Sequence, residues 1–409
     1  MSRWIIFILF YLFMSFYGFQ AIKTISKSNW VYFIFISIAV LVLGNFMLQF
    51  IAASEGRVLN PSKSYAFGFL LAFMSFNLVL IPILLGEDII RVVLGLYDKL
   101  LTSKQTFYMP SRRKFISQIA IGLAAIPFTS LLYGMYKGKY RFRVLSYQLY
   151  FEDLPEAFDG YKITQISDIH CGSFDNRDKI EYGVNLINEQ KSDVIMFTGD
   201  MVNNKTSEMA SWKDLFGSLK AKDGKYSVLG NHDYGDYVNW PTPEAKAQNF
   251  KDLLQTQKDM GFDLLLNESR TIEKNGQRLA IIGVENWGAG GFKKAGDLKK
   301  AAQDIDENDF KILMSHDPSH WEQEVVEDDY HYHLTLSGHT HGMQFGIEIP
   351  GWFKWSPVKW RYKHWAGIYK EKGQYINVNR GFGYLGYPGR VGIWPEITVI
   401  ELKKGVKHA

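Results

Sequence analysis

The sequence predicts two unlike parts in one chain, an all-α bundle of about four membrane-crossing helices followed by an α/β domain. Three observations predict it. The first third is a series of apolar runs close to the ~20 residues that cross a bilayer. From about Lys139 onward, short β-rich runs alternate with polar, helix-like stretches, the pattern of sheets covered by helices. Five of those β-rich runs end in clusters of acids, imidazoles and amides, and ligands of α/β sheets gather beyond the carboxyl ends of strands.

The helical part is read from segments 4–22, 30–52, 65–85 and 115–136, none with a charge in its interior. Trp4, Trp30, Tyr65 and Tyr136 stand at segment ends, where amphipathic rings prefer the membrane interface. Buried helices of soluble proteins have shorter apolar runs and polar faces, so a soluble bundle fits poorly. Without interior charges a polar transport pathway is not expected either. The flank of the first segment, Gln20 to Lys27, lacks a small-residue cleavage pattern, and the segment is expected to be retained. The stretch Gly86 to Lys104 is amphipathic and either extends the third helix or lies along the interface.

Orientation follows from Lys and Arg in the short loops. Lys23, Lys27, Arg91, Lys99, Lys104, Arg112, Arg113 and Lys114 fall on one side, and Arg3, Arg57 and Lys63 on the other. The richer side is expected to be cytoplasmic, which puts everything after Tyr136 outside; Lys137, Lys139, Arg141 and Arg143 count against it. The run "SRRKFISQIAIGLAAIPF" (Ser111 to Phe128) resembles a twin-arginine export signal, and read instead as a plain anchor it gives the same orientation. The expectation is an integral protein of the cell (inner) membrane with its C-terminal domain on the outer, periplasmic side.

Composition excludes other classes. Net charge is +4 with no basic stripe, so no nucleic-acid partner is expected. The single cysteine, Cys171, rules out an intramolecular disulfide and a cysteine-based zinc site; it reads as a small packing residue.

In the second part, strands are expected at Lys162–Ser167, Val194–Thr198, Tyr226–Leu229, Leu279–Val284, Lys311–Ser315, His333–Leu336, Tyr375–Val378 and Ile397–Leu402. Helices are expected at Asp178–Gln190, Ser207–Leu219, Pro243–Met260 and Asp297–Glu307. The organisation is then a transmembrane region over 1–137, a linker and first strand over 138–160, and the α/β domain over 161–409.

The strand ends carry the chemistry. "SDIHCG" offers Asp168 and His170; "TGDMVNN" offers Asp200 and Asn203; "LGNHDYG" offers Asn231, His232 and Asp233. "SHDP" offers His316 and Asp317, and "SGHTHG" offers His339 and His341. A lone His or Asp at a strand end is usually a polar surface or turn residue; five ordered clusters together are not explained that way. Carboxylate, imidazole and amide oxygen suit Mn, Fe or Zn. Seven candidate ligands (Asp168, His170, Asp200, Asn231, His316, His339, His341) are too many for one ion and fill two sites if one carboxylate bridges. Paired ions are the usual arrangement for phosphate-ester hydrolysis, with a metal-activated hydroxide as nucleophile.

These blocks resemble the calcineurin-like metallophosphoesterase family: Asp168-Ile-His170, Gly199-Asp200-Met-Val-Asn203, Gly230-Asn231-His232-Asp233, His316, and Gly338-His339-Thr-His341. The resemblance runs from about residue 160 to the end and implies a four-layer α/β sandwich with two sheets. It also implies roles: Asp168, His170 and His341 for one metal, Asn231, His316 and His339 for the other, and Asp200 as the bridge. The non-ligand imidazole is His232, which would stabilise charge or protonate the leaving oxygen, with Asp233 orienting it. On that division the neighbours His339 and His341 serve different ions. Asn203 stands where the family often has Asp, at a supporting position.

The lead-in "LPEAFDGYKITQISDIH" and the tail "NRGFGYLGYPGRVGIWPEITVIEL" resemble the membrane-linked branch of the family, in which a second Gly usually stands where Met343 does here. Arg380 and Arg390 either bind substrate phosphate or sit in turns as solvated charges. The aromatics Trp352, Phe353, Trp355, Trp360, Tyr362, Trp365 and Tyr369 form either a lipid-facing lip or a satellite core under a long loop. The expected activity is a membrane-anchored metallophosphoesterase with two divalent ions, acting on a phosphate ester that includes phospholipid or lipid-linked phosphates. The alternatives are a UDP-diacylglucosamine-type pyrophosphate hydrolase and a non-catalytic envelope-associated binding protein.

Overall fold

The computed structural model describes residues 2–52, 60–97, 99–100, 110–349 and 351–406. The chain divides between Tyr136 and Lys137 into two compact units.

The first unit holds α1 (Ser2–Ile25), α2 (Asn29–Met47), α3 (Pro61–Tyr97) and α4 (Pro110–Tyr136), four helices long and apolar enough to cross a membrane. Their outer faces leave Ile6, Phe16, Phe33 and Leu41 exposed, as suits lipid contact. Where the helices meet, Tyr11, Phe46 and Phe73 pack together, and the Tyr11 hydroxyl donates to Ala39 O at 2.8 Å. The amphipathic stretch after Gly86 continues α3 as far as Tyr97. Its Asp88 pairs with Arg91 and with Arg113 of the twin-arginine-like run. Arg57 and Lys104, which entered the orientation argument, lie outside the described residues.

The second unit contains β1 (Arg143–Phe151), β2 (Lys162–Ile166), α5 (Arg177–Glu189), β3 (Val194–Phe197), α6 (Lys213–Gly217), β4 (Lys225–Ser227), α7 (Pro243–Asp259) and β5 (Asp263–Leu264). There follow β6 (Glu268–Lys274), β7 (Gln277–Gly283), α8 (Leu298–Ala302), β8 (Phe310–Met314), α9 (Pro318–Gln323) and β9 (Leu334–Ser337). Then come β10 (Ile347–Ile349), β11 (Phe353–Trp355), β12 (Gly367–Glu371), β13 (Gln374–Val378) and β14 (Glu396–Lys404).

Two six-stranded sheets form, in the orders β1-β14-β2-β3-β4-β5 and β12-β13-β9-β8-β7-β6. Within them β2, β3 and β4 run parallel, as do β7, β8 and β9. Between the sheets lies an apolar core that includes Ile163, Met196, Ile281, Ile312 and Leu334. On the outer face of the first sheet, Ile180 and Val184 of α5 and Leu253 of α7 join a second core. Ala301 of α8 and Trp321 of α9 do the same on the second sheet. The layers are helix, sheet, sheet, helix. Strands covered on both faces read as unbroken apolar runs, which is why "VIMF" in β3 is buried throughout.

Two expected helices are shorter. Over 207–219 the chain makes a 3-10 turn at Thr206–Met209 and then α6, because Glu208 turns back to accept from the backbone of Asn203 and Lys205. Over 297–307 only α8 forms, capped by Asp297. The edge strands β5, β6 and β12 carry too little apolar periodicity to be read from sequence.

Candidate metal centre

The loops after β2, β3, β4, β8 and β9 converge at the carboxyl ends of parallel strands and bring together two groups of donors. Asp168, His170 and His341 form one, and Asp200, His316 and His339 the other; within each, one donor atom per residue lies within 4.8 Å of the rest. In the first group His341 Nε2 stands 3.2 Å from Asp168 Oδ1 and 3.1 Å from His170 Nε2. In the second, His316 Nε2 is 3.2 Å from Asp200 Oδ2 and 3.3 Å from His339 Nδ1. Asp200 Oδ2 also comes within 3.5 Å of His170 Nε2, so one carboxylate oxygen reaches both groups.

The backbone is bent to make this possible. Asp168, His170, Asp200, His339 and His341 all have positive φ, from 48° to 70°. Non-glycine residues there cost on the order of 1 kcal/mol each, and such strain concentrates at functional sites. Gly338 allows the approach of β9 to β2, since a Cβ there would lie 1.9 Å from Ser167 Oγ and 2.3 Å from Asp168 Oδ2. Met343, in place of the branch's usual glycine, also takes positive φ (55°) and is largely exposed.

Outer contacts set which ring nitrogen faces inward. His316 Nδ1 donates to Thr198 O at 2.7 Å, which leaves Nε2 for the centre. His339 Nε2 is engaged by Tyr362 Oη at 2.8 Å and by Asp317 Oδ2 at 3.3 Å, which leaves Nδ1. Asn231 Nδ2 donates to Tyr237 Oη at 2.8 Å, while its Oδ1 is buried without a hydrogen-bond partner.

The charges are strongly displaced. Burial opposes ionisation of Asp168, but His341 and then His316 hold its carboxyl well below the usual range. Burial likewise opposes Asp200, and His316 and His232 hold it low. Burial pulls His170 down to about 3. It works against protonation of His316 too, yet the Asp200 and Asp168 carboxylates push that imidazole up to about 10. Two anionic carboxylates, inward-facing imidazole nitrogens and an orphaned amide oxygen form a donor set for divalent cations, with a bound cation taking the place of the proton on His316. The residues therefore fit two metal ions.

A cavity of about 310 Å³ opens over these groups, lined among others by Asn231, His232, Tyr237, Phe292, Arg361 and Tyr362. His232 donates through Nδ1 to Asn203 O at 2.7 Å and lies against Tyr237, the two rings tilted with centroids 4.5 Å apart. Asn203 thus supports the site through its backbone, and its side chain bonds Ser173.

Asp233, expected to orient His232, makes no hydrogen bond to it among the described residues. Its carboxylate accepts from the backbone N–H groups of Asp200 (2.9 Å), Met201 (2.8 Å), Val202 (3.4 Å) and Gly230 (2.9 Å), tying two loops together. Burial and the charge of Asp200 push it up to about 7, against the pull of those donors.

Arg380 and Arg390 are not solvated turn charges; both are buried. Arg380 is buried between Glu396 and Glu348, each at 2.5 Å. Arg390 is buried and donates to the carbonyls of Gly383, Arg380 and Gly381, with Nη2 3.2 Å from His341 Nδ1. The aromatic segment divides: Tyr362 and Trp365 join a small core with Val358 and Ile393, whereas Trp352 and Trp360 are exposed. Cys171 is buried in the first sheet's outer core, and burial pushes its thiol up. Phe292 and Arg361 carried no sequence signal, because each enters the cavity from a loop remote from the motif blocks, and Tyr237, just beyond the third block, is of a residue type that metal chemistry does not single out.

Comparison with known proteins agrees with this architecture. A family model described as "Probable Calcineurin-like phosphoesterase, transmembrane domain" matches residues 2–139, and one described as "Calcineurin-like phosphoesterase" matches residues 161–343. The uncharacterized metallophosphoesterase YkuE of Bacillus subtilis is 30% identical over 299 residues, which cover 72% of this chain and 98% of that protein. A transmembrane protein with metallophosphoesterase domain from Danio rerio is 29% identical over 281 residues, 67% of this chain and 60% of the relative's length. YkoQ, another uncharacterized metallophosphoesterase of Bacillus subtilis, is 26% identical over 288 residues, 69% of this chain and 99% of its own.

Proposed function

The chain belongs to the calcineurin-like metallophosphoesterases, a membrane form of phosphoric ester hydrolase, and from that premise we propose which residues act and on what. Asp168, His170 and His341 would hold one divalent ion, Asn231, His316 and His339 the second, and Asp200 would serve both. The observation that carries this reading is the pair of donor groups linked through Asp200 Oδ2. Such ions, whether Mn, Fe or Zn, polarise a phosphoryl group and lower the pKa of an attacking water.

The protein's own residues do the rest. With Nδ1–H committed to Asn203 O, His232 presents Nε2 as the nitrogen that handles a proton, and it gives that proton to the leaving oxygen. Phe292, Val358 and Leu385 give the cavity apolar lining, and Arg361 adds a cation. That mixture supports a phosphoester carried on an apolar or aromatic group, and in a membrane-anchored enzyme a phospholipid or lipid-linked phosphate. Arg361 also favours the second reading, a pyrophosphate such as that of an acylated UDP-sugar, because it provides for an additional anionic group. The catalytic domain lies on the outer side of the cell membrane, as loop charges indicate.

The test is metal analysis of the detergent-purified full chain, with hydrolysis of soluble monoesters, diesters, lipid phosphates and pyrophosphates measured in parallel. Two ions per chain and turnover of a lipid phosphate are expected. Turnover of soluble esters alone rejects the lipid substrate, and a single ion per chain rejects the ligand assignment.

A further inference from the structure

The β10–β11 hairpin has its polarity inverted. Its register sets Ile347 against Trp355, Glu348 against Lys354 and Ile349 against Phe353. Side chains alternate across a strand, so one face carries Glu348 and Lys354 and the other is entirely apolar. The polar face is the one turned to the body of the domain: Glu348 pairs with Arg380, and Lys354 donates to Ala366 O and Tyr369 Oη. The apolar face is turned outward, with Ile347 55%, Ile349 44% and Phe353 48% exposed. Trp352, in the connecting turn, is 82% exposed, and Trp360, edge-on to Trp355 at 6.1 Å, is 75% exposed. An antiparallel hairpin on a water-soluble surface shows the reverse pattern, and a contiguous exposed apolar patch marks an interaction site.

The surrounding charges identify the partner. Lys354, Lys359, Arg361 and Lys363 line a shallow cavity of about 570 Å³ together with Trp360 and Tyr369. Lys363 pairs with Glu371, while Lys359 and Arg361 make no ion pair among the described residues. Tryptophans at headgroup depth and lysines against anionic lipid are the two chemistries of a bilayer surface. The same chain carries four helices fit to cross a membrane, so a bilayer is always within reach of this domain.

We propose that the β10–β11 hairpin with Trp360 and Lys359 is a lip that docks on an anionic bilayer surface. Trp352 and Phe353 enter the interface, and the cations meet lipid phosphates. Arg361 lines both the cationic cavity and the cavity over the metal centre, so docking brings headgroups to the mouth of the site. The proposal does not depend on the lipid-substrate reading, since a docked lip orients the domain whichever ester it cleaves.

The experiment uses the full chain in nanodiscs of phosphatidylcholine, with or without phosphatidylglycerol, containing acyl-chain spin labels. A fluorophore is placed at Trp352→Cys and, as control, at Lys299→Cys on α8; the native Cys171 is buried and stays unlabelled. The expected result is spin-label quenching at 352 but not at 299, stronger with phosphatidylglycerol. Lys359→Glu reduces the docked-to-free ratio at least about five-fold, the factor corresponding to about 1 kcal/mol per surface cation. Equal quenching at the two positions overturns the proposal and gives the hairpin to a protein partner or a second copy. Quenching at 352 that ignores phosphatidylglycerol and Lys359→Glu overturns the anionic requirement. Docking without lipid-phosphate turnover sinks the substrate reading and supports the lip.

Discussion

Replacing Asp233 by Asn separates two roles for a residue that sits in sequence beside His232, the proposed proton donor. In the structure Oδ2 accepts from Asp200 N and Gly230 N, both at 2.9 Å, and Oδ1 from Met201 N at 2.8 Å and Val202 N at 3.4 Å. An Asn of the same shape offers one acceptor oxygen, and its NH2 must face the other pair of N–H donors. The cheaper orientation faces the NH2 to Met201 and Val202, where one bond is already long. A buried donor left unpaired costs about 1–3 kcal/mol, so the change costs roughly 2–4 kcal/mol. For a domain of this size that lowers the melting temperature by about 4–16 °C. The assay is thermal unfolding of the detergent-solubilised full chain followed by tryptophan fluorescence, with kcat measured well below the transition. If Asp233→Asn melts within about 2 °C of the wild type while kcat collapses and its pH profile moves, the loop-tying role is wrong. Asp233 would then act on His232 after all.

Three further outcomes follow from the same geometry. Asp200→Asn removes the charge that reaches both donor groups, and metal content and activity should fall together; retained stoichiometry by metal analysis rejects the bridge. His232→Ala should lower kcat about 10²–10⁴-fold with metal content unchanged, as for loss of a general acid, and an unaltered kcat rejects its role. His333 accepts from Lys311 N through Nδ1 and faces Asp153 through Nε2, and burial lowers it from 6.5 to about 4. The folded state therefore keeps it neutral while the unfolded chain takes up a proton, so this stability is complete above pH ~6.5 and is lost as pH falls toward ~4, by on the order of 3 kcal/mol. Denaturation series across that window should show a slope that His333→Gln reduces; an unchanged slope rejects the assignment.

What could be read from sequence divides along a physical line. The convergence of Asp168, His170, Asp200, His316, His339 and His341 was legible because metal chemistry restricts residue type, and because each follows a buried apolar strand that is itself legible. The two-sheet core was legible for the second reason alone. Arg380 was not, since what neutralises it lies on remote elements, Glu396 in β14 and Glu348 in β10. The backbone contacts of Asp233 were not legible either, because proximity in sequence to His232 says nothing of which way a carboxylate turns in a tight loop. The hairpin was half legible: its aromatics were visible, but which face they occupy depends on the register of β10 against β11.

Tyr362 joins that hairpin segment to the metal centre, and its contact with His339 can be tested as a unit. His339 points Nδ1 inward because Nε2 is hydrogen-bonded with Tyr362 Oη at 2.8 Å, while Asp317 Oδ2 stands 3.3 Å away without a hydrogen bond. Asp317 uses Oδ1 to cap α9 through Ser319 N and Oγ, so Oδ2 is otherwise without a partner. A second, unused acceptor within reach of the same nitrogen makes the two partly redundant. Tyr362→Phe leaves the Asp317 contact to close, and Asp317→Asn leaves the Tyr362 contact; each should weaken metal binding by less than about ten-fold. With both acceptors gone the ring is free to rotate, and the double variant should lose about 10–100-fold, the usual cost of removing a metal ligand's outer hydrogen bond. The signature is therefore a double variant worse than the product of the singles, read by competitive chelator titration of the second ion. Strict additivity would mean that Tyr362 and Asp317 hold His339 independently, and the redundancy argument would fail.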